Sequence, residues 1–304
     1  MPPLRLLALT TLALLAFAGN SLLCRAALRG IDAKAQIDMD AASFTTIRLI
    51  AGAIVLWLLV RARESASLPA SPPTSDAPPA NGNWLSAFAL FVYAICFSYA
   101  YVRLPAATGA LLLFGAVQAT MISVGLYQGE RLAVPQLCGL VIALGGLIGL
   151  LVPDPSALIA PPFYSAALML TAGIAWGVYS LRGKGAGDAT TITAGNFMRA
   201  VPFAIALSLL QINAASLEPA GVVYALLSGA LMSGVGYAIW YSALPALKAT
   251  TAATVQLSVP VIATFGGVVL LDEALTLRTV LASAAILGGI AIVVCVKSSR
   301  NTAT

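Results

Sequence analysis

Apolar stretches of about 20 residues, the length that crosses a bilayer as a helix, recur along nearly the whole of this 304-residue chain. Hydrophobic residues make up 60% of the sequence and charged residues only 9%, whereas a soluble domain is about one quarter charged. Inside a bilayer each backbone polar group must find its partner within the protein, and a single apolar segment achieves this as a helix. The chain is therefore predicted to be an all-α polytopic membrane protein with no separate soluble domain.

Ten such segments are present, and most connections between them are very short, which makes consecutive helices antiparallel neighbours. The predicted spans are 4–26, 41–61, 84–102, 106–127, 132–152, 162–182, 190–211, 220–243, 249–271 and 276–296. The one long connection, 64–83, is rich in Pro, Ser, Ala and Asn, and we predict a disordered cytoplasmic linker there. The first span also resembles a signal peptide, but its cleavage would leave nine spans, and we expect an uncleaved helix.

Short sequence motifs in the first half of the chain recur in the second half. Leu-Pro-Ala at 104–106 returns at 244–246, each time following a tyrosine, and the two copies lie 140 positions apart. Glu130 at the start of the fifth span corresponds to Glu273 at the start of the tenth, and both spans contain a Gly-Gly pair. These repeated motifs predict two copies of one five-helix unit.

The predicted repeats cover residues 1–153 and 158–297. Because five is an odd number, the second copy must start on the opposite side of the membrane, and the two copies are inverted relative to each other. Inverted repeats are a recurring architecture of secondary transporters, which bind their substrate at the repeat interface near the middle of the membrane. Lys and Arg in the connections divide nine against five in favour of cytoplasmic N- and C-termini.

This pattern resembles the EamA-type ten-helix exporters of the drug/metabolite transporter superfamily. The resemblance is carried by the Leu-Pro-Ala junctions, the paired glutamates, the Gly-Gly pairs, and Arg48 of the second span with its counterpart Arg199. The aromatic segments 91–101, 173–181 and 236–244 are most similar to inner-membrane exporters of aromatic amino acids. The resemblance implies a transporter rather than an enzyme, which exports amino acids and related small metabolites across the inner membrane.

Aromatic residues within the spans are the first candidates for substrate binding. On the third span, Tyr93 begins a stripe of aromatic residues at i, i+4 and i+8, which lie on one helix face. Such rings can stack on an apolar or aromatic side chain and offer hydroxyls to its polar end. Near helix ends the alternative is an interfacial aromatic belt, which we expect for Trp84 and Tyr101. The aromatic residues predicted to bind substrate are Tyr93, Tyr99, Trp176, Tyr179, Tyr237 and Trp240.

Polar side chains in the middle of the spans are the second candidates. A buried amide in hydrocarbon is costly unless it is hydrogen-bonded, so each should face protein or a wet cavity. Amides and hydroxyls can donate to a substrate carboxylate and accept from its ammonium group without carrying a charge. The alternative role is hydrogen bonding between helices. The polar residues predicted to bind substrate are Asn20, Gln118, Ser180 and Gln256.

The charged residues of the spans are few. Arg48 and Arg199 could each hold a substrate carboxylate, but no acidic residue lies deep in any span to pair with them. We expect them instead to snorkel or to cap backbone carbonyls. Glu130, Asp272 and Glu273 lie at predicted helix ends, where we expect them to stabilise helix N-termini. Facilitated export fits this set more simply than proton coupling.

The sequence implies no cofactor and no metal, since it has no histidine and its four cysteines form no CxxC pair. Its basic residues stand singly in connections, which membrane topology explains better than nucleic-acid binding. We expect a monomer whose partners are the lipid bilayer and a small-molecule substrate. The alternative cargo is a cationic drug: the lack of a mid-membrane carboxylate opposes it, although aromatic cages can hold cations.

Overall fold

A computed structural model describes residues 2–29, 39–66, 82–127, 133–151, 163–183, 188–247 and 255–295. Within these ranges the chain forms ten helices and no β-strand. The helices are α1 Pro3–Arg29, α2 Ala41–Ala66, α3 Trp84–Tyr101, α4 Ala106–Tyr127, α5 Val134–Leu151, α6 Phe163–Gly183, α7 Ala189–Leu210, α8 Pro219–Ala243, α9 Ser258–Leu271 and α10 Leu277–Cys295. Seven of them are long and apolar enough to cross a membrane, and α5, α9 and α10 are shorter apolar helices. The predicted all-α fold of ten helices is confirmed.

Many large apolar side chains cover the outside of the bundle, and small side chains are frequent in its interior. Leu7, Leu58, Leu137 and Val269 are each more than half exposed. Ala18, Ala94, Ala110, Ala172 and Ala263 are fully buried. This arrangement suits a lipid environment, where small residues let helix backbones approach and large ones cover the lipid-facing surface.

Contacts between the first five helices and the second five follow a symmetric pattern. Helix α5 packs against α10, and α2 packs against α7. Helix α3 packs against α6 and α7, and α8 packs correspondingly against α1 and α2. Helix α4 contacts α6, as α9 contacts α1. Two equivalent five-helix units related by a pseudo-two-fold axis would pack in this way.

Two helices depart from the regular geometry expected of a span. The middle of α8, Ser228–Val235, is π-helical, a feature that the sequence pattern did not predict. Helix α9 begins at Ser258, after a break at Leu257. Pro260 lies three residues after this break and contributes to it, because proline cannot donate a backbone hydrogen bond and its ring clashes with the preceding turn of a helix. The predicted start of that span, 249–254, lies outside the described residues.

The linker predicted at 64–83 is too wide at both ends. Helix α2 continues to Ala66. The Asn83 side chain caps α3 by accepting a hydrogen bond from the Ser86 backbone N–H, and the Asn83 backbone N–H donates to Asn196 Oδ1 at 2.9 Å. Residues 67–81 of the predicted linker lie outside the part of the chain that the structure describes.

Candidate functional site

A continuous series of aromatic rings runs through the interior of the bundle. On α3 the ring centroids of Tyr101 and Phe97 are 4.7 Å apart, and those of Phe97 and Tyr93 are 5.4 Å apart. The Tyr93 ring lies 4.8 Å from Trp176 on α6, which lies 5.3 Å from Tyr237 on α8. We call these five rings the aromatic column. The stripe recognised on α3 therefore faces the interior and joins rings from the second half of the chain.

Further rings surround the column at its Tyr237 end. Tyr179 stacks on the Trp176 ring at 5.4 Å. Phe17 of α1 lies 5.7 Å from Tyr237 and 5.8 Å from Trp240, and so connects Trp240 to the column. Helices α1, α3, α6 and α8 therefore build one buried aromatic region, which includes five of the six predicted aromatic site residues.

Polar groups contact the column at the Tyr93 hydroxyl. The Asn20 side-chain amide donates to this oxygen at 3.5 Å, and Arg48 Nη2 donates to it at 3.3 Å. The Asn20 carbonyl oxygen accepts from the Ser228 hydroxyl at 2.6 Å, and Arg48 Nε donates to the Ser233 hydroxyl at 3.3 Å. Both serines belong to the π-helical segment of α8. The sequence patterns had pointed to Asn20 and Tyr93 but to neither serine.

Arg48 is only 1% exposed, and its guanidinium lies over the Tyr93 and Phe97 rings, 5.4 and 5.1 Å from their centroids. The prediction that Arg48 snorkels or caps a carbonyl is wrong. Its helix face is covered by α3 and α8, so the side chain cannot reach an interface. The same prediction for Arg199 is confirmed, because its Nη1 donates to the Gly195 carbonyl at 3.0 Å.

A close contact between α2 and α8 holds the guanidinium near the column. A Cβ atom on Gly229 would lie 2.2 Å from the Arg48 carbonyl oxygen, so only glycine lets the two backbones meet here. Gly229 is the second residue of the π-helical segment, a type of irregularity that often occurs at functional sites. The contact places Ser228 and Ser233 on either side of the point where α8 crosses Arg48.

An ion pair closes the Tyr101 end of the column. Arg25 Nε contacts Glu273 Oε1 at 2.9 Å, and the two side chains are 11% and 13% exposed. Glu273 Oε2 accepts from the Ala106 amide at 2.7 Å, and Arg25 Nη1 donates to the Tyr101 carbonyl at 3.0 Å. Glu273 therefore does stabilise a helix N-terminus, but that of α4 rather than α10. Tyr101 is fully buried, so its prediction as a belt residue is wrong.

The other two acidic residues predicted at helix ends have different outcomes. The prediction that Asp272 stabilises a helix N-terminus is wrong. Asp272 lies at the C-terminus of α9, where its left-handed φ of 49° ends the helix. Glu130 lies outside the described residues.

Polar contacts of a different kind occupy the opposite end of α3. Arg182, in the last turn of α6, donates to the Ser86 hydroxyl at 3.2 Å and to Asn83 Oδ1 at 3.3 Å. Arg63 of α2 donates to the Thr190 hydroxyl at the start of α7, at 3.0 Å. Both basic side chains therefore connect neighbouring helices through side-chain oxygen atoms at this end of the bundle.

Four predicted site residues lie away from the contacts that define the column. The Tyr99 hydroxyl donates to Gln211 Oε1, at the C-terminus of α7. Gln118 is buried and lines an apolar groove between α4, α5 and α10. Ser180 and Gln256 are half-buried, and within the described ranges neither is hydrogen-bonded to the column.

Known proteins resemble this chain at several levels. The model of the EamA-like transporter family matches residues 164–295. An uncharacterised protein of Pseudomonas aeruginosa is 52% identical over 300 residues, covering 99% of this chain and 98% of the relative. An uncharacterised transporter of Archaeoglobus fulgidus is 26% identical over 218 residues, covering 69% and 75% of the two chains. One solved crystal structure has the same fold, with a TM-score of 0.62 at 18% identity over 94% of this chain and 96% of that one.

Proposed function

This chain belongs to the EamA-like transporter family and is a membrane transporter, and we propose that it exports amino acids across the inner membrane by alternating access. The proposed cargo is aromatic and other neutral amino acids together with related small metabolites. Export of aromatic amino acids in particular is supported by the three aromatic segments, whose rings meet inside the bundle.

The aromatic column is the observation that carries this proposal. Its rings come from α3 of the first half and from α6 and α8 of the second, so a solute bound there would contact both halves. Ring faces provide stacking surface for an apolar or aromatic side chain. Next to them, the Asn20 amide and the Tyr93 hydroxyl supply the hydrogen-bonding groups that the polar end of an amino acid requires.

The packing of the column also supports alternating access. Centroid distances of 4.7 to 5.4 Å leave no room for a substrate between neighbouring rings, so binding requires α3 to separate from α6 and α8. We propose that the repeats 1–153 and 158–297 rock against each other, as their symmetric packing would allow. The π-helical segment of α8 and the break before α9 are places where the backbone hydrogen bonding is already irregular, and a helix can bend there.

The orientation of the chain is part of the proposal. With both termini in the cytoplasm, as the Lys/Arg bias favours, the Arg25–Glu273 ion pair lies at the outer end of the column. Arg182, with its contacts to the N-terminal turn of α3, lies at the cytoplasmic end. The structure then corresponds to a state closed by an ion pair on the outside. We propose that the transporter works as a monomer.

Flux in proteoliposomes tests the proposal. Vesicles containing the purified protein are loaded with labelled phenylalanine, tryptophan, threonine or methionine, and efflux is measured with and without a pH gradient. We expect downhill efflux without a gradient, because no acidic residue and no histidine lies deep in a span to relay protons.

A pair of variants ties this flux to the column. Tyr237→Ala removes a ring that is 4% exposed and should lower aromatic amino acid efflux by about tenfold or more, as loss of one well-packed aromatic contact would. Tyr127→Ala removes a ring that is 93% exposed and should leave efflux unchanged. Efflux of a quaternary ammonium dye in place of every amino acid would contradict the proposal and favour a cationic-drug exporter on the same fold.

A further inference from the structure

We propose that Arg48 binds the carboxylate of the transported molecule, so that this site selects carboxylate-bearing substrates and rejects amines that lack a carboxylate. The inference rests on the proposed transport function, and it assigns to that site the residue that recognises the charged end of the cargo.

The hydrogen bonding of Arg48 is incomplete. A guanidinium has five N–H donors in a planar fork and cannot be deprotonated at physiological pH. Two of these donors are used, one by the Ser233 hydroxyl and one by the Tyr93 hydroxyl. Nη1 is buried and has no hydrogen-bond partner among the residues that the structure describes.

The charge of Arg48 is equally uncompensated. Neither of the two ion pairs found among the described residues includes Arg48. The acidic residue nearest to it along the chain is Asp40, which directly precedes α2 and lies eight positions before Arg48. At 1.5 Å per residue that is about 12 Å along the helix, too far for an ion pair. A buried cation without an anionic partner is costly in a membrane interior, and residues of this kind are usually retained for function. The missing counter-charge is the observation that points to an anionic ligand.

The surroundings of the guanidinium suit a carboxylate attached to an apolar body. Nη1 and Nη2 form the outer edge of the fork, which can bind both oxygens of a carboxylate. The rings of Tyr93 and Phe97 lie directly beside this edge, and Trp176 follows along the column. A substrate whose carboxylate lies on Arg48 can therefore place its side chain against the column. A fixed positive charge at the same point repels an amine that brings no carboxylate with it.

A panel of three ligands tests the inference on the unmodified protein. The probes are L-phenylalanine, L-phenylalaninamide, which lacks the carboxylate, and 3-phenylpropanoate, which lacks the ammonium group. Binding is measured in detergent by quenching of tryptophan fluorescence, since Trp176 lies within the column. We expect the two carboxylates to bind and phenylalaninamide to bind at least about 30-fold more weakly. Equal affinity for phenylalanine and phenylalaninamide would overturn the inference.

Two variants and one matched control add a second test. Arg48→Gln removes the charge and should weaken binding of both carboxylates by about 30-fold or more. Arg48→Lys keeps the charge but loses the fork, and its affinity should fall in between. Arg199→Gln, the corresponding change in α7, removes a side chain that caps the Gly195 carbonyl and should leave binding as in the wild type. If Arg48→Gln does not fold, the Arg48→Lys variant and the ligand panel on the wild-type protein still test whether Arg48 binds the carboxylate.

The results separate this inference from the proposed amino acid function. If Arg48→Gln transports phenylalanine as fast as the wild type, the proposed carboxylate binding by Arg48 is refuted and the transport function stands. If binding of 3-phenylpropanoate depends on Arg48 but no amino acid is transported, carboxylate binding by Arg48 is supported and the amino acid cargo is refuted. If no probe binds, both proposals fail.

Discussion

Loss of the Glu273 carboxylate should destabilise the fold far more than loss of an ordinary surface charge. In the Glu273→Gln variant Arg25, whose side chain is 11% exposed, keeps its bonds to the Tyr101 and Val102 carbonyls but loses its only carboxylate partner among the described residues. Leaving one member of a buried ion pair without its partner costs about 3 to 5 kcal/mol. Because those two carbonyl contacts remain, we expect about 3 kcal/mol, the lower end of that range.

The second role of Glu273 can be separated from the first. Glutamine still offers an oxygen to the Ala106 amide at the start of α4, whereas alanine does not. Glu273→Ala should therefore cost about 1 kcal/mol more than Glu273→Gln, the typical value of a lost N-terminal cap. Equal losses for the two variants would refute the capping role.

Equilibrium unfolding by SDS in mixed micelles, followed by tryptophan fluorescence, gives these differences in free energy. Glu64→Gln is the matched control, because its ion pair with Arg61 is exposed and should contribute no more than about 0.5 kcal/mol. In the double variant Arg25→Gln/Glu273→Gln the two losses should not add, with a coupling of about 1 to 3 kcal/mol. A Glu273→Gln protein as stable as Glu64→Gln would refute the buried ion pair.

Three further predictions concern separate parts of the fold. Gly229→Ala places a Cβ atom against the Arg48 carbonyl and should cost about 1 to 3 kcal/mol in the same unfolding assay. Gln136→Leu removes the donor to the Val293 carbonyl of α10 at 3.0 Å and the acceptor of the Ala133 amide at 2.9 Å, and should cost about 1 kcal/mol for each of these bonds; an unchanged stability would refute their contribution. Partial burial raises the pKa of Asp188, but hydrogen bonds from Thr191 and Thr190 lower it by more than burial raises it. The pKa therefore lies below its usual value of about 4. The stability that Asp188 contributes should be present above about pH 4 and lost as pH falls through its lowered folded-state pKa, and Asp188→Asn should flatten that acid limb of the unfolding curve.

The sequence by itself determined the number, type and approximate bounds of the helices. Lipid offers no hydrogen-bond partners to a backbone, so a long apolar run has one local solution, and neighbouring residues suffice to identify it. The face of α3 was also readable, because Tyr93 and Phe97 are spaced four apart, and such residues share a helix face.

Which side chains meet was decided only by the tertiary structure. Arg48 and Arg199 lie at corresponding positions of two apolar helices, α2 and α7. Arg48 is nevertheless buried against aromatic rings, whereas Arg199 caps a carbonyl in its own helix. The difference arises from Gly229, which is 181 residues away in sequence and brings α8 against the backbone of Arg48. In the same way Glu273 caps α4 rather than the helix that follows it, because the chain turns back at the C-terminus of α9. Hydropathy is a local property of the chain, whereas a binding site depends on contacts between distant segments, and these form only when the helices pack.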